Sequence, residues 1–172
     1  MKTPIYTLLM VMAFYACSNG QNQKPAPAPA KEKSSFEVSK SQDEWKKELD
    51  GLTYHVTREK GTEPAFSGKY DKFYEKGTYH CSNCGALLFS SESKFNSGSG
   101  WPSFSDVAKS GKVKKVEDSS HGMVRTEVVC QRCGAHLGHV FDDGPQPSGQ
   151  RYCINSVSMT FEAEGDSTSE GQ

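Results

Sequence analysis

The sequence predicts a mostly β fold, and two observations support this prediction. Short segments rich in Tyr, Val, Thr and Phe are separated by glycines, which is typical of strands joined by turns. Helical signals are confined to the beginning of the domain, where Ser41 and Glu44 have the spacing of a capping box. Because Trp45 and Leu49 follow four residues apart, we expect one short amphipathic helix that ends at Gly51.

Six segments have the composition of strands, and they are residues 52–57, 77–80, 87–90, 123–130, 139–141 and 152–161. Residues 151–156 fit a strand with a period of two, which places Arg151, Cys153 and Asn155 on one face. Further along the chain, the same face would carry apolar side chains that belong in a core. We therefore expect the buried face to change near Asn155 and Ser156, as it does at a bend or a bulge.

The chain has 172 residues and a formal net charge of −1, which gives no electrostatic reason to expect nucleic acid or an acidic membrane as a partner.

The amino-terminal residues predict export. Residues 1–16 combine a short charged start with an apolar run that is too short for a stable membrane span, which is typical of a signal peptide. Ala16 and Cys17 at its end resemble the cleavage site of bacterial lipoproteins, so we expect lipid attachment to the Cys17 thiol.

The protein would then be an exported bacterial lipoprotein on the periplasmic or cell-envelope side, held to the membrane by its lipid anchor alone. An uncleaved anchor is the alternative. Residues 17–40 are polar and alternate proline with alanine, which predicts a flexible tether. Residues 41–161 have the size of a single domain with one core. Residues 162–172 are rich in Gly, Ser and Glu and predict a disordered tail.

Two Cys-x-x-Cys-Gly motifs are the strongest chemical signal in the chain. Cys81 and Cys84 form the first motif, and Cys130 and Cys133 form the second. Two such turns can complete a tetrahedral site of four thiolates, so we predict one zinc ion. A filled coordination sphere leaves no position for water or substrate, and the zinc is therefore expected to be structural. A pair of disulfides or a redox-active Cys-x-x-Cys is the alternative, and a zinc-ribbon-type binding module without catalysis is the non-enzymatic interpretation.

Cys153 is the cysteine that these assignments leave without a partner. Of the six cysteines, Cys17 is assigned to lipid and four to the metal. An unpaired thiol in an exported protein is liable to oxidation, which favours a chemical role. As a nucleophile, Cys153 would have Arg151 beside it to favour the thiolate and Asn155 to hydrogen-bond the group attacked. A buried structural cysteine is the alternative.

Two further stretches supply candidate partners for this thiol. His136 and His139 follow the second motif, close to Asp143, and could donate protons or hydrogen bonds to a developing oxyanion. Trp101 follows a glycine-rich loop and is either a core residue or part of the site. Cys153, His139 and Asp143 also have the residue types of an acyl-transfer enzyme, with a nucleophile, a base and an orienting acid.

The order of these motifs resembles that of the B-type peptide methionine sulfoxide reductases. The matching stretches are Cys81-x-x-Cys84, residues 97–104, Cys130-x-x-Cys133, residues 136–141 and residues 151–156, with residues 54–63 and 66–70 upstream. The resemblance covers residues 45–161. It implies a mostly β, β-tent-like domain of two antiparallel sheets with short peripheral helices and a structural zinc.

The same resemblance implies reduction of the R epimer of methionine sulfoxide, either free or in oxidised proteins. The Cys153 thiolate would attack the sulfoxide sulfur and become a sulfenic acid, which is a reversible oxidation product. Trp101 would receive the methyl group of the substrate on its face. The remaining roles that the family implies are protonation of the departing oxygen by His139, His136 and Asp143, and tuning of the thiolate by Arg151 and Asn155.

One position departs from the family pattern. Many members have a second cysteine where this chain has Ser99, and that cysteine attacks the sulfenic acid. With four cysteines on zinc and Cys17 on lipid, no resolving thiol remains. We therefore expect an external thiol, such as a thioredoxin-like protein or a small-molecule thiol, to reduce Cys153.

Overall fold

The computed structural model describes residues 36–165 of the chain. The predicted signal peptide 1–16, the lipid-attachment residue Cys17, and most of the tether 17–40 and of the tail 162–172 lie outside the described residues. None of the helices within residues 36–165 has the length and apolar composition of a membrane span.

The fold is mostly β, as predicted, and consists of two antiparallel sheets. The strands in chain order are β1 (Gly77–Cys81), β2 (Leu87–Ser90), β3 (Lys94–Phe95), β4 (Ser103–Phe104), β5 (Val113–Asp118), β6 (Arg125–Cys130), β7 (His136–Phe141), β8 (Arg151–Ile154) and β9 (Met159–Ala163). The smaller sheet has the order β2-β1-β9, and the larger has the order β3-β4-β8-β7-β6-β5.

Two helices precede the sheets, and the second corrects a prediction. The helix α1 (Gln42–Glu48) begins at Ser41 with the predicted capping box, but it ends before Gly51. Residues 52–57 were expected to form a strand, and they lie instead in the helix α2 (Gly51–Glu59). Asp50 starts this helix because its carboxylate accepts hydrogen bonds from the backbone N–H groups of residues 52 and 53, both at 3.0 Å.

The composition of α2 is that of a strand, but its burial has the period of a helix. Thr53, Tyr54, Val56 and Thr57 are the buried positions, so they lie on one helical face. Packing of this face and the cap at the start therefore outweigh the β preference of the individual residues.

The expected change of buried face occurs where the chain passes from one sheet to the other. A short 3₁₀ helix, Ser156–Ser158, separates β8 in the larger sheet from β9 in the smaller one. Before the break, Tyr152 and Ile154 are buried, while Cys153 is only partly buried. The strand β9 pairs with β1 as far as Ala163, so the sheet extends two residues beyond the predicted end of the domain at residue 161.

The core lies between the two sheets and is mainly aromatic. Tyr79 of β1 meets Phe104 of β4 edge to face, with ring centroids 5.0 Å apart. Phe89 of β2 stacks on the same Phe104 ring at 4.5 Å. Each such pair contributes about 0.5–1.5 kcal/mol beyond the area it buries, so the small sheet is packed firmly against the sheet that carries Cys153.

Candidate active site

The four motif cysteines come together where the two sheets meet. Cys81 ends β1 of the smaller sheet, and Cys130 ends β6 of the larger sheet. The Sγ–Sγ distances are 3.7 Å for Cys81 and Cys133 and 3.6 Å for Cys84 and Cys130, and all four sulfurs lie within 4.8 Å of one another. Zn–S bonds of about 2.3 Å in a tetrahedron require sulfur separations of about 3.8 Å, so this cluster fits one tetrahedral metal ion.

These distances do not fit the alternative of two disulfides, which need sulfur atoms about 2 Å apart. The two motifs also share one turn geometry. Gly85 and Gly134 both have φ near +70°, a left-handed conformation that favours glycine, and each donates a backbone hydrogen bond to the first cysteine carbonyl of its motif. Because the turn is repeated, both pairs of sulfur atoms face the same metal position.

The beginning of the described chain packs against the second of these turns. Val38 donates a backbone hydrogen bond of 2.9 Å to the carbonyl of Arg132, and Glu37 forms an ion pair with the Arg132 guanidinium at 2.9 Å. Glu37 and Val38 belong to the segment 17–40 that composition predicts as a tether. The last part of that segment is therefore in contact with the domain.

Cys153 lies in the middle of the larger sheet, at the bottom of a cavity of about 190 Å³. The residues that line the cavity are Thr62, Trp101, Arg125, Gly138, His139, Phe141, Cys153 and Asn155. In register, Cys153 stands opposite Ser103 on β4 and opposite His139 on β7. The structure thus brings together four of the predicted site residues, namely Cys153, His139, Trp101 and Asn155.

The surroundings of Cys153 act on its acidity in opposite directions. Burial raises the pKa of the Cys153 thiol above its ordinary value. A hydrogen bond from Ser99, whose Oγ lies 3.8 Å from Sγ, and the positive charge of Arg151 lower the pKa but do not outweigh burial. The net shift of the Cys153 pKa is therefore upward.

Arg151 and Asp143 form an ion pair at the edge of this site. The guanidinium donates two hydrogen bonds of 2.8 Å to the Asp143 carboxylate and lies over the Phe141 ring at 4.5 Å. The sequence placed Asp143 with the histidines, whereas the structure pairs it with Arg151 and leaves 62% of its side chain exposed. Its role in this geometry is to orient the arginine beside Cys153.

A bulge in β7 places the two histidines on the same face. Residues three apart in a regular strand point to opposite faces. The register between β6 and β7 shifts at Val128 and Val129, so that Leu137 is the extra residue. His136 and His139 consequently lie together, with ring centroids 5.4 Å apart.

Each histidine has a carboxylate partner that sequence reasoning missed. His139 Nε2 lies 2.9 Å from Asp118 of β5, and His136 Nδ1 lies 2.7 Å from Glu127 of β6. Glu127 is 2% exposed and also accepts a hydrogen bond of 2.8 Å from Lys60. A charged residue directly before the apolar residues 128–130 of β6 was the available signal for Glu127, because a buried carboxylate requires partners.

These contacts shift the pKa values of the acids and of His139. Hydrogen bonds from Ser120 and His139 hold the pKa of Asp118 well below its ordinary value. Burial raises the pKa of Glu127, but its hydrogen bonds with His136 and Lys60 outweigh burial and the net shift is downward. Burial lowers the pKa of His139, against the hydrogen bond to Asp118. The site therefore contains two fixed carboxylates beside two imidazoles.

Asn155 and Trp101 are held by one further residue, Glu63, which is 2% exposed. The Glu63 N–H donates to Asn155 Oδ1 at 3.0 Å, and the Glu63 carbonyl accepts from Trp101 Nε1 at 3.1 Å. The Glu63 carboxylate accepts from the backbone of Ser156 at 2.6 Å, just after the strand that carries Cys153. Asn155 also donates to the Leu137 carbonyl at 3.0 Å, so its amide fixes backbone in the cavity wall.

Comparisons with known proteins show which family the sequence matches. The SelR domain family matches residues 49–163. The peptide methionine sulfoxide reductase MsrB of Leptospira interrogans is 58% identical over 130 residues, which are 76% of this chain and 99% of that protein. The MsrB protein of Methanosarcina barkeri is 60% identical over 127 residues, covering 74% and 89% of the two chains. The mitochondrial methionine-R-sulfoxide reductase B3 of Mus musculus is 52% identical over 141 residues, covering 82% of this chain and 56% of that protein.

Proposed function

The chain belongs to the SelR-domain family and is a methionine sulfoxide reductase of the MsrB type, and we propose that it reduces the R epimer with Cys153 as the nucleophile. The observation that carries this proposal is the position of Cys153 directly opposite His139, in a cavity that Trp101 also lines. The family membership makes the non-catalytic zinc-ribbon module and the acyl-transfer enzyme the weaker hypotheses.

The chemical step transfers one oxygen atom. The Cys153 thiolate attacks the sulfur of the sulfoxide, the sulfur–oxygen bond of the substrate breaks, and the oxygen ends on Cys153 as a sulfenic acid. The substrate sulfur gains two electrons and leaves as methionine, while Cys153 loses two. One proton must reach the oxygen, and its delivery is assigned to His139 because this residue is paired with Cys153 in register.

The opposed pKa shifts of Cys153 and His139 supply that proton within the site. Burial favours the neutral thiol and the neutral imidazole. As the thiol reacts, its proton passes to His139, where the adjacent Asp118 carboxylate stabilises the imidazolium. The imidazolium then gives the proton to the oxygen, so the transfer requires no net proton uptake. His136, held by Glu127, supports the position of His139 through ring contact.

Substrate binding uses the apolar part of the cavity. Trp101 and Phe141 present ring surfaces to the same space as the Cys153 sulfur. A methyl–sulfoxide group placed against the indole would direct its sulfur to Cys153 and its oxygen towards His139. This handed arrangement of three groups around one sulfur is the physical reason to expect a single epimer.

Regeneration of the thiol is proposed to use an external reductant. Within residues 36–165, the cysteines other than Cys153 are the four of the metal cluster. Ser99 lies 3.8 Å from the Cys153 sulfur and cannot form a disulfide. A thioredoxin-like protein or a small thiol would therefore attack the sulfenic acid directly.

The metal is proposed to be one structural zinc ion held by the four cysteines. All four thiolates are used, so the ion has no position for substrate, and its contribution is to tie β1 to β6 across the two sheets.

We also propose attachment to a membrane from outside the cytoplasm through lipid on Cys17. Replacement of Cys17 by serine would release such a protein from the membrane fraction, whereas unchanged fractionation would contradict the anchor.

The reaction is tested by following each epimer separately. Purified protein with dithiothreitol should convert methionine-R-sulfoxide to methionine and leave the S epimer unchanged. The Cys153→Ser variant should bind zinc normally and lose turnover. Equal turnover of both epimers, or an active Cys153→Ser variant, would contradict the proposal.

A further inference from the structure

Three consecutive apolar side chains are exposed beside the active site. Pro64, Ala65 and Phe66 all face solvent, and Phe66 is 66% exposed. Single exposed apolar residues are common, but a run of three exposed apolar residues is unusual on a soluble domain. We call residues 64–66 the apolar strip.

The backbone of the strip is held in an unfavourable conformation. Phe66 has φ of +64°, in the left-handed region that residues with bulky side chains rarely adopt. Its N–H donates a hydrogen bond of 2.7 Å to the carbonyl of Gly100. Since the ring stays largely in solvent, burial of Phe66 in the core does not explain why this conformation is maintained.

The strip is packed against the segment that carries Trp101. A side chain at Gly100 would lie 2.8 Å from the Phe66 backbone nitrogen and 2.9 Å from its ring, so glycine is what allows the strip to lie this close. Gly100 also has φ of +89°, which independently favours glycine. The Phe66 ring is therefore fixed next to the wall of the cavity.

The strip is continuous with the cavity but lies outside it. Thr62 and Trp101 line the cavity. The strip follows Thr62 closely in sequence, and its Phe66 N–H is hydrogen-bonded to Gly100, the residue before Trp101. Phe66 itself is not a lining residue. A free amino acid in the cavity would therefore leave the strip uncovered, whereas a longer substrate could cover it.

We propose that the apolar strip binds an apolar residue two positions from methionine sulfoxide in an extended polypeptide. This rests on the proposed reductase activity. Successive side chains of an extended chain point to opposite faces, and residues two positions apart share a face at about 6.6 Å, so a peptide with its sulfoxide in the cavity can bring the side chain two positions away to the cavity wall. The preferred substrate is then an oxidised, unfolded segment whose methionine has apolar neighbours, as methionines from protein cores do.

The test separates the side chain of Phe66 from its backbone. Asparagine tolerates the left-handed conformation and removes the ring, so Phe66→Asn changes the surface alone. Phe66→Tyr keeps the ring, and Tyr74→Asn removes another exposed aromatic that does not line the cavity. The substrates are free methionine-R-sulfoxide, a peptide with leucine two positions before and two positions after the sulfoxide, and the same peptide with serine at those two positions.

In Phe66→Asn, kcat/KM for the leucine-flanked peptide should fall about tenfold, through a higher KM, while the free sulfoxide changes by no more than about twofold. Phe66→Tyr and Tyr74→Asn should retain the preference of the unaltered protein for leucine flanks. An equal loss on all three substrates, no loss on any, or a change only in oligomeric state would overturn the proposal. An unaltered protein that fails on the free sulfoxide would instead overturn the reductase activity, and the proposal with it.

Discussion

His139 and Cys153 stand directly opposite each other on adjacent antiparallel strands, β7 and β8. Side chains in such a pair have Cβ atoms about 4.5–5.5 Å apart, which is close enough for both to contact one small substrate. Neither residue is on a loop. The proposed nucleophile and the proposed proton donor are thus positioned by the hydrogen-bonded sheet itself.

Gly138 should be required for this alignment. A Cβ atom at Gly138 would collide with the carbonyl oxygen of Cys153, so Gly138→Ala must move β7 away from β8. We expect kcat to fall about tenfold or more, because small displacements of reacting groups are costly. Gly51→Ala is the matched control, since a Cβ there meets nothing within 4 Å. Equal activity of both variants would show that the close approach of the two strands is not needed.

Glu127 should stabilise the fold as well as the site. Its carboxylate is 2% exposed and joins His136 to Lys60, so Glu127→Gln leaves buried charge-assisted hydrogen bonds unmade. We expect the free energy of unfolding, measured with denaturant, to fall by about 2 kcal/mol. Glu117→Gln, at an exposed position of β5, should change it by less than about 0.5 kcal/mol. A smaller effect at position 127 than at position 117 would refute this assignment.

Asp118 should set the pH range in which His139 can accept the Cys153 proton. Burial lowers the pKa of His139 and the hydrogen bond to Asp118 raises it, so Asp118→Asn should lower that pKa further. In the proposed mechanism the neutral imidazole takes the proton of the Cys153 thiol, and activity is therefore lost as pH falls through the His139 pKa. The ascending limb of the profile of kcat/KM against pH should move to lower pH in Asp118→Asn.

The matched control for Asp118 is Asp142→Asn, which alters an exposed carboxylate directly after the end of β7 and should leave the pH profile unchanged. An ascending limb that stays in place in Asp118→Asn, or that moves equally in both variants, would exclude Asp118 as the residue that stabilises the imidazolium.

Zinc should be needed for folding and not for the chemical step. Cys84→Ser removes one of the four ligands, and we expect loss of bound zinc and a Tm lower by more than about 10 °C. Cys153→Ser is the control and should keep both zinc and Tm. Metal analysis and thermal unfolding measure the two quantities, and a zinc-free Cys84→Ser protein with unchanged Tm would contradict a structural metal.

Features that depend on local spacing could be predicted from the sequence. The two cysteine motifs, the alternation of Tyr152 and Cys153 and the change of face after Asn155 follow from neighbouring residues alone. The helix α2 could not be predicted in this way, because its β-branched residues favour a strand and only the cap at Asp50 and tertiary packing make it helical.

The carboxylates of the site depend on contacts between distant parts of the chain. Asp118 lies on β5, an edge strand whose Lys and Glu residues resemble a loop in composition, although charges are typical of edge strands. Its contact with His139 exists only once β6 and the bulge in β7 are in place. Asp143, which is nearer in sequence, was therefore the more obvious candidate and pairs with Arg151 instead.

The most direct test of the account is the mass of the enzyme after a single turnover without any reductant. We predict one methionine formed per protein and a gain of one oxygen atom on the peptide that contains Cys153. Ser99→Cys is the matched control. The Ser99 Oγ lies 3.8 Å from the Cys153 sulfur, so a thiol at this position should react with the sulfenic acid to form a disulfide with loss of water. A disulfide between Cys153 and another cysteine in the unaltered protein, or methionine formed with no oxidation of Cys153, would contradict the account.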